Sequence, residues 1–138
     1  MKPNFILSHK IRPGAALYEL EITKQFSGAH SLTGYPGDCR KLHGHNWQVT
    51  VYLQCEKLDE IGIALDFKIL KKELNEVIDR FDHAYLNELS EFADCNPTSE
   101  NIARIIYKEL SKRLNDDRIK VVRTSVEESP GSRASYFE

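Results

Sequence analysis

The run "HGHNWQVTVYLQ", residues 43–54, alternates with a period of two. Trp47, Val49, Val51 and Leu53 share one parity, while Asn46, Gln48, Thr50 and Gln54 share the other. Only an extended strand turns alternate residues to opposite faces, so this segment commits the chain to a sheet with one buried side. His43 and His45 fall on the apolar parity and therefore point inward with Trp47 and Val49. Their rings stand about 6 to 7 Å apart along the strand, and buried imidazoles need partners.

A second alternating run, "LYELEITKQF" (17–26), places Tyr18, Leu20, Ile22 and Phe26 on one face. Carried forward, that parity brings Gly28 and His30 to the same face, with Lys24 interrupting it. The segment "TGYPGD" between the strands holds two Gly and one Pro, the punctuation of a loop. If the strands form a hairpin, His30 closes against His43 and three imidazoles converge. Any one inward histidine is ordinarily a satisfied core residue; three at one hairpin end read as ligands. Three neutral nitrogens with a vacant fourth position describe a catalytic zinc site, and such donors suit zinc better than magnesium or calcium. Cys39, four residues before His43, is open to two roles. It is a fourth ligand, or a nucleophile or base whose pKa a nearby cation lowers.

From Asp66 the period changes. Phe67, Leu70, Leu74, Val77, Ile78 and Phe81 recur at threes and fours, which predicts a helix capped by Asp66 and ending near Phe81. Asp82 and His83 then lie at or past its last turn. A second helix is predicted in "NPTSENIARIIYKEL", with Pro97 near its start, Thr98 or Ser99 as cap and Glu100 in the first turn. "RIKVVRTSVEE" returns to strand, "SPGSRAS" reads as a turn, and "ASYFE" as a short last strand. The order ββααββ gives an α+β fold: a four-stranded antiparallel sheet with two helices on one face.

At 138 residues the chain is expected to form one domain over 1–138. A formal net charge of −2, with charges interleaved, excludes a protein that grips nucleic acid through a bulk basic surface. There is no signal-peptide pattern and no run of 18 apolar residues, so a cytoplasmic protein without membrane contact is expected. Three cysteines (Cys39, Cys55 and Cys95) cannot all pair within the chain, which fits a reducing compartment. Cys55 and Cys95 are read as structural.

The segments "FSGAH", "CRKLHGH", "LDF", "FDHAYLN", "NPTSEN" and "VEES" together resemble the 6-pyruvoyl-tetrahydropterin synthase superfamily, in family order from Phe26 to Ser129. The Cys-x₃-His-Gly-His spacing is similar to its bacterial queuosine-pathway branch, which makes 6-carboxytetrahydropterin. The resemblance implies a tunnelling fold whose subunits join edge to edge into a barrel, as a homohexamer with active sites between subunits. Such assembly would also pair the two free edges of a four-stranded sheet. It implies that His30, His43 and His45 hold zinc and that Cys39 is the proton-abstracting base. Asp82 and His83 would be a catalytic pair supplied by a neighbouring subunit, and Glu128 would anchor the pterin ring, whose adjacent N–H donors match a two-oxygen acceptor. Thr98 and Ser99 are candidate substrate contacts as well as caps. Arg40 and Lys41 flank Cys39 and could meet a triphosphate or simply face solvent.

The implied substrate is 7,8-dihydroneopterin triphosphate, and hydrogens move only within it, so no redox cofactor is required. Two other readings compete. One is the sister activity, which eliminates triphosphate but keeps the side chain as 6-pyruvoyl-tetrahydropterin. The other is a non-catalytic zinc- or pterin-binding module in which Cys39 closes a structural site.

Overall fold

The alternation of residues 43–54 is realised as half of a long hairpin. Strands β1 (Tyr18–His30) and β2 (His43–Cys55) pair antiparallel from Tyr18 opposite Cys55 to His30 opposite His43. The structure is a computed structural model and describes residues 11–37 and 40–138. Trp47, Val49, Val51 and Leu53 are fully buried on the inward face, beside Ile22 and Phe26. Each large apolar side chain sealed there contributes about 1.5–3 kcal/mol, which fixes the register: a slip of one residue would turn the whole set to solvent.

Helix α1 (Phe67–Ile78) begins where its sequence predicts, with the Asp66 carboxylate accepting from the Lys68 N–H. It buries Leu70, Leu74, Val77 and Ile78 and ends three residues early. Residues Asp79–Phe81 wind into a tighter 3₁₀ turn that still buries Phe81. Helix α2 (Ser99–Leu114) is capped by Thr98, whose hydroxyl accepts from the Asn101 N–H, and it buries Ile102, Ala103, Ile106 and Leu110. Both helices share one core with the inward sheet face. No helix of the described residues is long and apolar enough to cross a membrane.

Strand β4 (Ile119–Ser129) pairs with β2, setting Val126 opposite Val49. The expected turn "SPGSRAS" is shorter than its composition suggests. Pro130 and Gly131 alone reverse the chain, and β5 starts at Ser132 and runs to Tyr136. Proline pre-sets its φ and Gly131 takes a φ of 88°, so two residues suffice.

With β3 (Ala84–Tyr85), the sheet of the described residues has five strands in the order β3-β1-β2-β4-β5, one more than predicted. The addition, β3, is only Ala84–Tyr85 and runs parallel to β1 at Gly28 and Ala29. Two residues are too few to show an alternation. At this end Gly28 is packed tightly: a Cβ there would stand 3.1 Å from the Phe81 carbonyl oxygen and 3.3 Å from the Phe26 ring.

Candidate metal centre and the adjoining Asp–His pair

Strand pairing alone brings the three histidines together. His30 opposes His43 at the end of the hairpin, and His45, two residues along β2, opposes Gly28. Their rings meet edge to face, with centroids 4.5, 5.3 and 4.8 Å apart, so His43 and His45 lean closer together than the roughly 6 to 7 Å expected from the strand repeat. Trp47 is the next inward residue on β2 and forms the floor. It meets His30 and His45 edge-on, stacks on Phe26 and donates its indole N–H to the Gly28 carbonyl at 3.0 Å. Its neighbours on that face are apolar, so the imidazoles are backed by a dry wall.

The protons of two rings are fixed by backbone. His30 Nδ1 lies 2.7 Å from the Pro97 carbonyl oxygen, and His43 Nδ1 lies 2.7 Å from that of Lys41. A carbonyl only accepts, so each Nδ1 carries the proton and each Nε2 keeps a lone pair. Those two Nε2 atoms face one another at 3.0 Å. Two lone pairs so close repel, and a cation between them relieves the conflict. His30 is buried, and burial holds its pKa below the usual 6.5 against the opposing pull of the Pro97 carbonyl and Glu128. The neutral form, the one that can ligate, is thus favoured near neutrality.

The fourth corner is taken by Glu128, on the inward parity of β4 beyond Val126. Its Oε1 lies 2.8 Å from His45 Nε2 and 3.8 Å from His30 Nε2. Despite the short distance, His45 Nε2 has no aligned hydrogen-bond partner. Donor atoms of His30, His43, His45 and Glu128 all lie within 4.8 Å of one another. Tetrahedral zinc with bonds of about 2.0–2.1 Å wants donors roughly 3.3 Å apart, so the 3.0 Å His30–His43 pair fits nearly as it stands and the widest separation would close by up to about 1.5 Å. The carboxylate stands where the sequence implied a vacancy, close enough to ligate as well as to meet a substrate.

Asp82 and His83 form a separate group. The Ser27 N–H donates to Asp82 Oδ1 at 2.9 Å, and the His83 N–H donates to the Ser27 carbonyl at 2.6 Å. The pair therefore grips β1 through both polar groups of one peptide residue. His83 has a φ of 55°, a left-handed conformation that costs a non-glycine residue about 1 kcal/mol or more. Its Nδ1 lies 3.0 Å from Asp82 Oδ2. A carboxylate at Nδ1 orients an imidazole for proton exchange at its other nitrogen. The Ser27 hydrogen bond, with help from His83, holds the Asp82 carboxyl below its usual range. His83 and His45 both border one open groove over Gly28 and Gly44.

Other expected residues are placed as follows. Thr98 caps α2, and Ser99 is buried in its first turn. Cys39 lies outside the described residues. Cys55 is buried, which raises its thiol pKa, and Cys95 is half-buried with Sγ near the Glu91 carbonyl. Sequence reasoning did not assign Trp47, the Pro97 and Lys41 carbonyls, Asn87 or Asn96 to this region. The asparagines sit inside the segments "FDHAYLN" and "NPTSEN", so the signal was there without a role attached.

A sheet with helices on one face and a histidine cluster at its strand ends defines a protein of the tunnelling-fold class. The chain belongs to the 6-pyruvoyl tetrahydropterin synthase family, whose profile matches residues 19–138. It is 45% identical over 101 residues to a protein of Archaeoglobus fulgidus provisionally named as a 6-carboxy-5,6,7,8-tetrahydropterin synthase, covering 72% of this chain and 83% of that one. It is 38% identical over 98 residues to the 6-carboxy-5,6,7,8-tetrahydropterin synthase of a Synechocystis species (66% and 74% covered). With the Bacillus subtilis enzyme of the same name the identity is 29% over 126 residues (86% and 84%). Among solved structures, the 6-pyruvoyl tetrahydropterin synthase of Caenorhabditis elegans superposes with a TM-score of 0.79 at 27% identity, covering 90% of this chain and 97% of that one.

Proposed function

We propose that this chain is a zinc-dependent 6-carboxy-5,6,7,8-tetrahydropterin synthase of the queuosine pathway. It converts 7,8-dihydroneopterin triphosphate and water into 6-carboxytetrahydropterin, acetaldehyde and triphosphate. The activity is the one named for its relatives; substrate and pathway follow from the family resemblance. The observation that carries the metal is the pair of Nε2 atoms 3.0 Å apart, each on a ring whose Nδ1 is committed to a carbonyl.

His30, His43 and His45 would hold the zinc. When bound it supplies Lewis acidity toward the side-chain hydroxyls of the substrate. Cys39, as thiolate, takes a proton from the side chain, and His83, oriented by Asp82, relays protons; each such transfer is worth roughly 10²–10⁴ in rate. Glu128 accepts paired N–H bonds from the pterin, and its place beside His45 sets the ring near the imidazoles. Thr98 and Ser99 are further ring contacts. Trp47 keeps water from the back of the site.

The single domain acts as a cytoplasmic oligomer, a hexamer by family resemblance, with Asp82 and His83 serving a neighbouring subunit's zinc. Two features support assembly. The His83 side chain is 83% exposed. Strand β3 covers β1 only at Gly28 and Ala29, and the edge back to Tyr18 has no strand partner among the described residues.

The test is incubation of the zinc-loaded protein with 7,8-dihydroneopterin triphosphate and identification of products by mass. Acetaldehyde and 6-carboxytetrahydropterin are expected, and neither from Cys39→Ala, which still binds zinc. A 6-pyruvoyl product would transfer the chain to the sister activity. Loss of zinc in Cys39→Ala, with no turnover in the parent, would leave a structural metal module.

A further inference from the structure

The chain leaving β1 after His30 is held by side chains where a strand would ordinarily lie. The Ser31 N–H donates to Asn87 Oδ1 at 2.9 Å, and Asn87 Nδ2 donates back to the Ser31 carbonyl at 2.8 Å. Two residues on, the Thr33 N–H donates to Asn96 Oδ1 and Asn96 Nδ2 donates to the Thr33 carbonyl, both at 2.9 Å. Residues i and i+2 of a strand bond toward the same side. A carboxamide offers, on one planar group, the acceptor and donor that a neighbouring strand would supply. The two asparagines therefore continue the ladder that β3 begins at Gly28 and Ala29.

Each asparagine is itself anchored. Asn87 belongs to the 3₁₀ turn Leu86–Glu88 that follows β3. The Asn96 carbonyl accepts from Asn101 Nδ2 at 2.8 Å and from the Thr98 N–H at 2.9 Å, which ties it to the first turn of α2. The next residue, Pro97, supplies the carbonyl that holds His30 Nδ1. One rigid post, the start of α2, thus grips the His30 ring and, through Asn96, the chain three residues beyond it.

We propose that Asn87 and Asn96 are positioning residues for the reaction. Their carboxamides set the path of the chain out of His30, so that the His30 imidazole and the root of the connection leading to Cys39 keep one fixed relation. Two-point clamps fix rotation as well as distance, which a single hydrogen bond does not. The inference rests on His30, His43 and His45 being metal ligands. A merely structural role, closing the hydrogen bonds of a surface connection, would touch thermal stability alone.

Asn87→Asp and Asn96→Asp conserve size but set a carboxylate oxygen against the Ser31 or Thr33 carbonyl, turning one bond of each clamp into repulsion. Asn96→Ser releases the clamp while leaving room for water, and it decides the matter should the Asp variant fail to fold. Zinc affinity is read by competition with a chromophoric chelator, kcat and KM at saturating zinc, and the melting temperature separately. Expected is a loss of zinc affinity of about tenfold for Asn96→Asp and less for Asn87→Asp, in line with other groups that orient a ligand. At saturating zinc kcat falls severalfold while KM stays within about twofold. Folded variants with parental zinc affinity and kcat, altered only in melting temperature, overturn the proposal. A parent that binds no zinc overturns the metal reading beneath it.

Discussion

The histidine cluster and the Asp82–His83 pair lie at the same end of β1 and are built in opposite ways. The His30 side chain is 1% exposed, wedged against Trp47, with its tautomer set by a carbonyl. His83 is 83% exposed, holds a left-handed backbone and meets one carboxylate. Burial, strand register and apolar walls fix the first, so it is complete within one chain. The second is held by hydrogen bonds to the Ser27 backbone and presents its ring outward. A strained, exposed residue gains nothing from packing, and such a conformer persists where its surroundings over-determine it. The contrast is that of a binding cavity with a group offered to something else.

The largest test separates the two. His43→Ala should abolish zinc binding and turnover together. His83→Asn should lower kcat roughly 10²–10⁴-fold with zinc affinity unchanged, since the general acid–base contribution alone is lost. Asparagine is chosen because it tolerates the left-handed region, so side-chain chemistry is removed without adding strain. Mixing the two inactive proteins under conditions that exchange subunits sharpens the comparison. If His83 serves another copy, an intact site re-forms wherever a His83→Asn zinc pocket meets a His43→Ala subunit, and roughly a quarter of activity returns. If His83 instead serves the groove it shares with His45 in its own chain, mixing restores nothing.

Much of this was legible in the sequence, for reasons that differ by region. Period-two alternation is a property of every strand residue, so the parity of His30, His43 and His45 could be read before any coordinates. Asp66 and Thr98 are caps by side-chain chemistry and stood where the helical period began. What escaped was whatever depends on contact between distant segments. Strand β3 is two residues long, and its pairing with β1 leaves no pattern. The carbonyls of Pro97 and Lys41 are backbone, which sequence identity does not mark. Glu128 was marked only through the family resemblance, and its approach to His45 comes from the pairing of β4 with β2. The crowding at Gly28 escaped as well: a Cβ there would stand 3.1 Å from the Phe81 carbonyl oxygen, a contact made across distant segments.

An intermediate effect probes the wall of the cavity. Trp47→Phe keeps an aromatic ring but removes the indole N–H, and with it the side-chain hydrogen bond to the Gly28 carbonyl. A loss of about 1 kcal/mol is expected from the hydrogen bond, with a further cost for the ring volume left unfilled, read from urea unfolding midpoints. Zinc affinity should fall as well, because the ring that backs His30 and His45 has shrunk. The His83 ring signals, followed by NMR, should keep their parental chemical shifts. A change at His83 as large as that at the histidine cluster would break the claim that the two groups are built independently.

The smallest effect concerns pH and the outward pair. The Asp82 carboxyl is held below its ordinary 3.8, first by the Ser27 N–H and then by His83. A carboxyl whose folded pKa is depressed adds stability that is present above its unfolded value and is lost as pH falls through the folded one. Asp82→Asn keeps an oxygen for the Ser27 N–H but carries no charge, and it mimics the protonated acid in shape. Thermal melts of the two proteins should therefore differ above the ordinary carboxylate value and converge below it. Because Asp82 is open to solvent, the difference should shrink in high salt, unlike anything measured at the buried His30. A gap that persists unchanged into acid would mean that the amide disturbs the grip on Ser27 itself. The pair would then be a structural clasp on β1 first and a proton relay second.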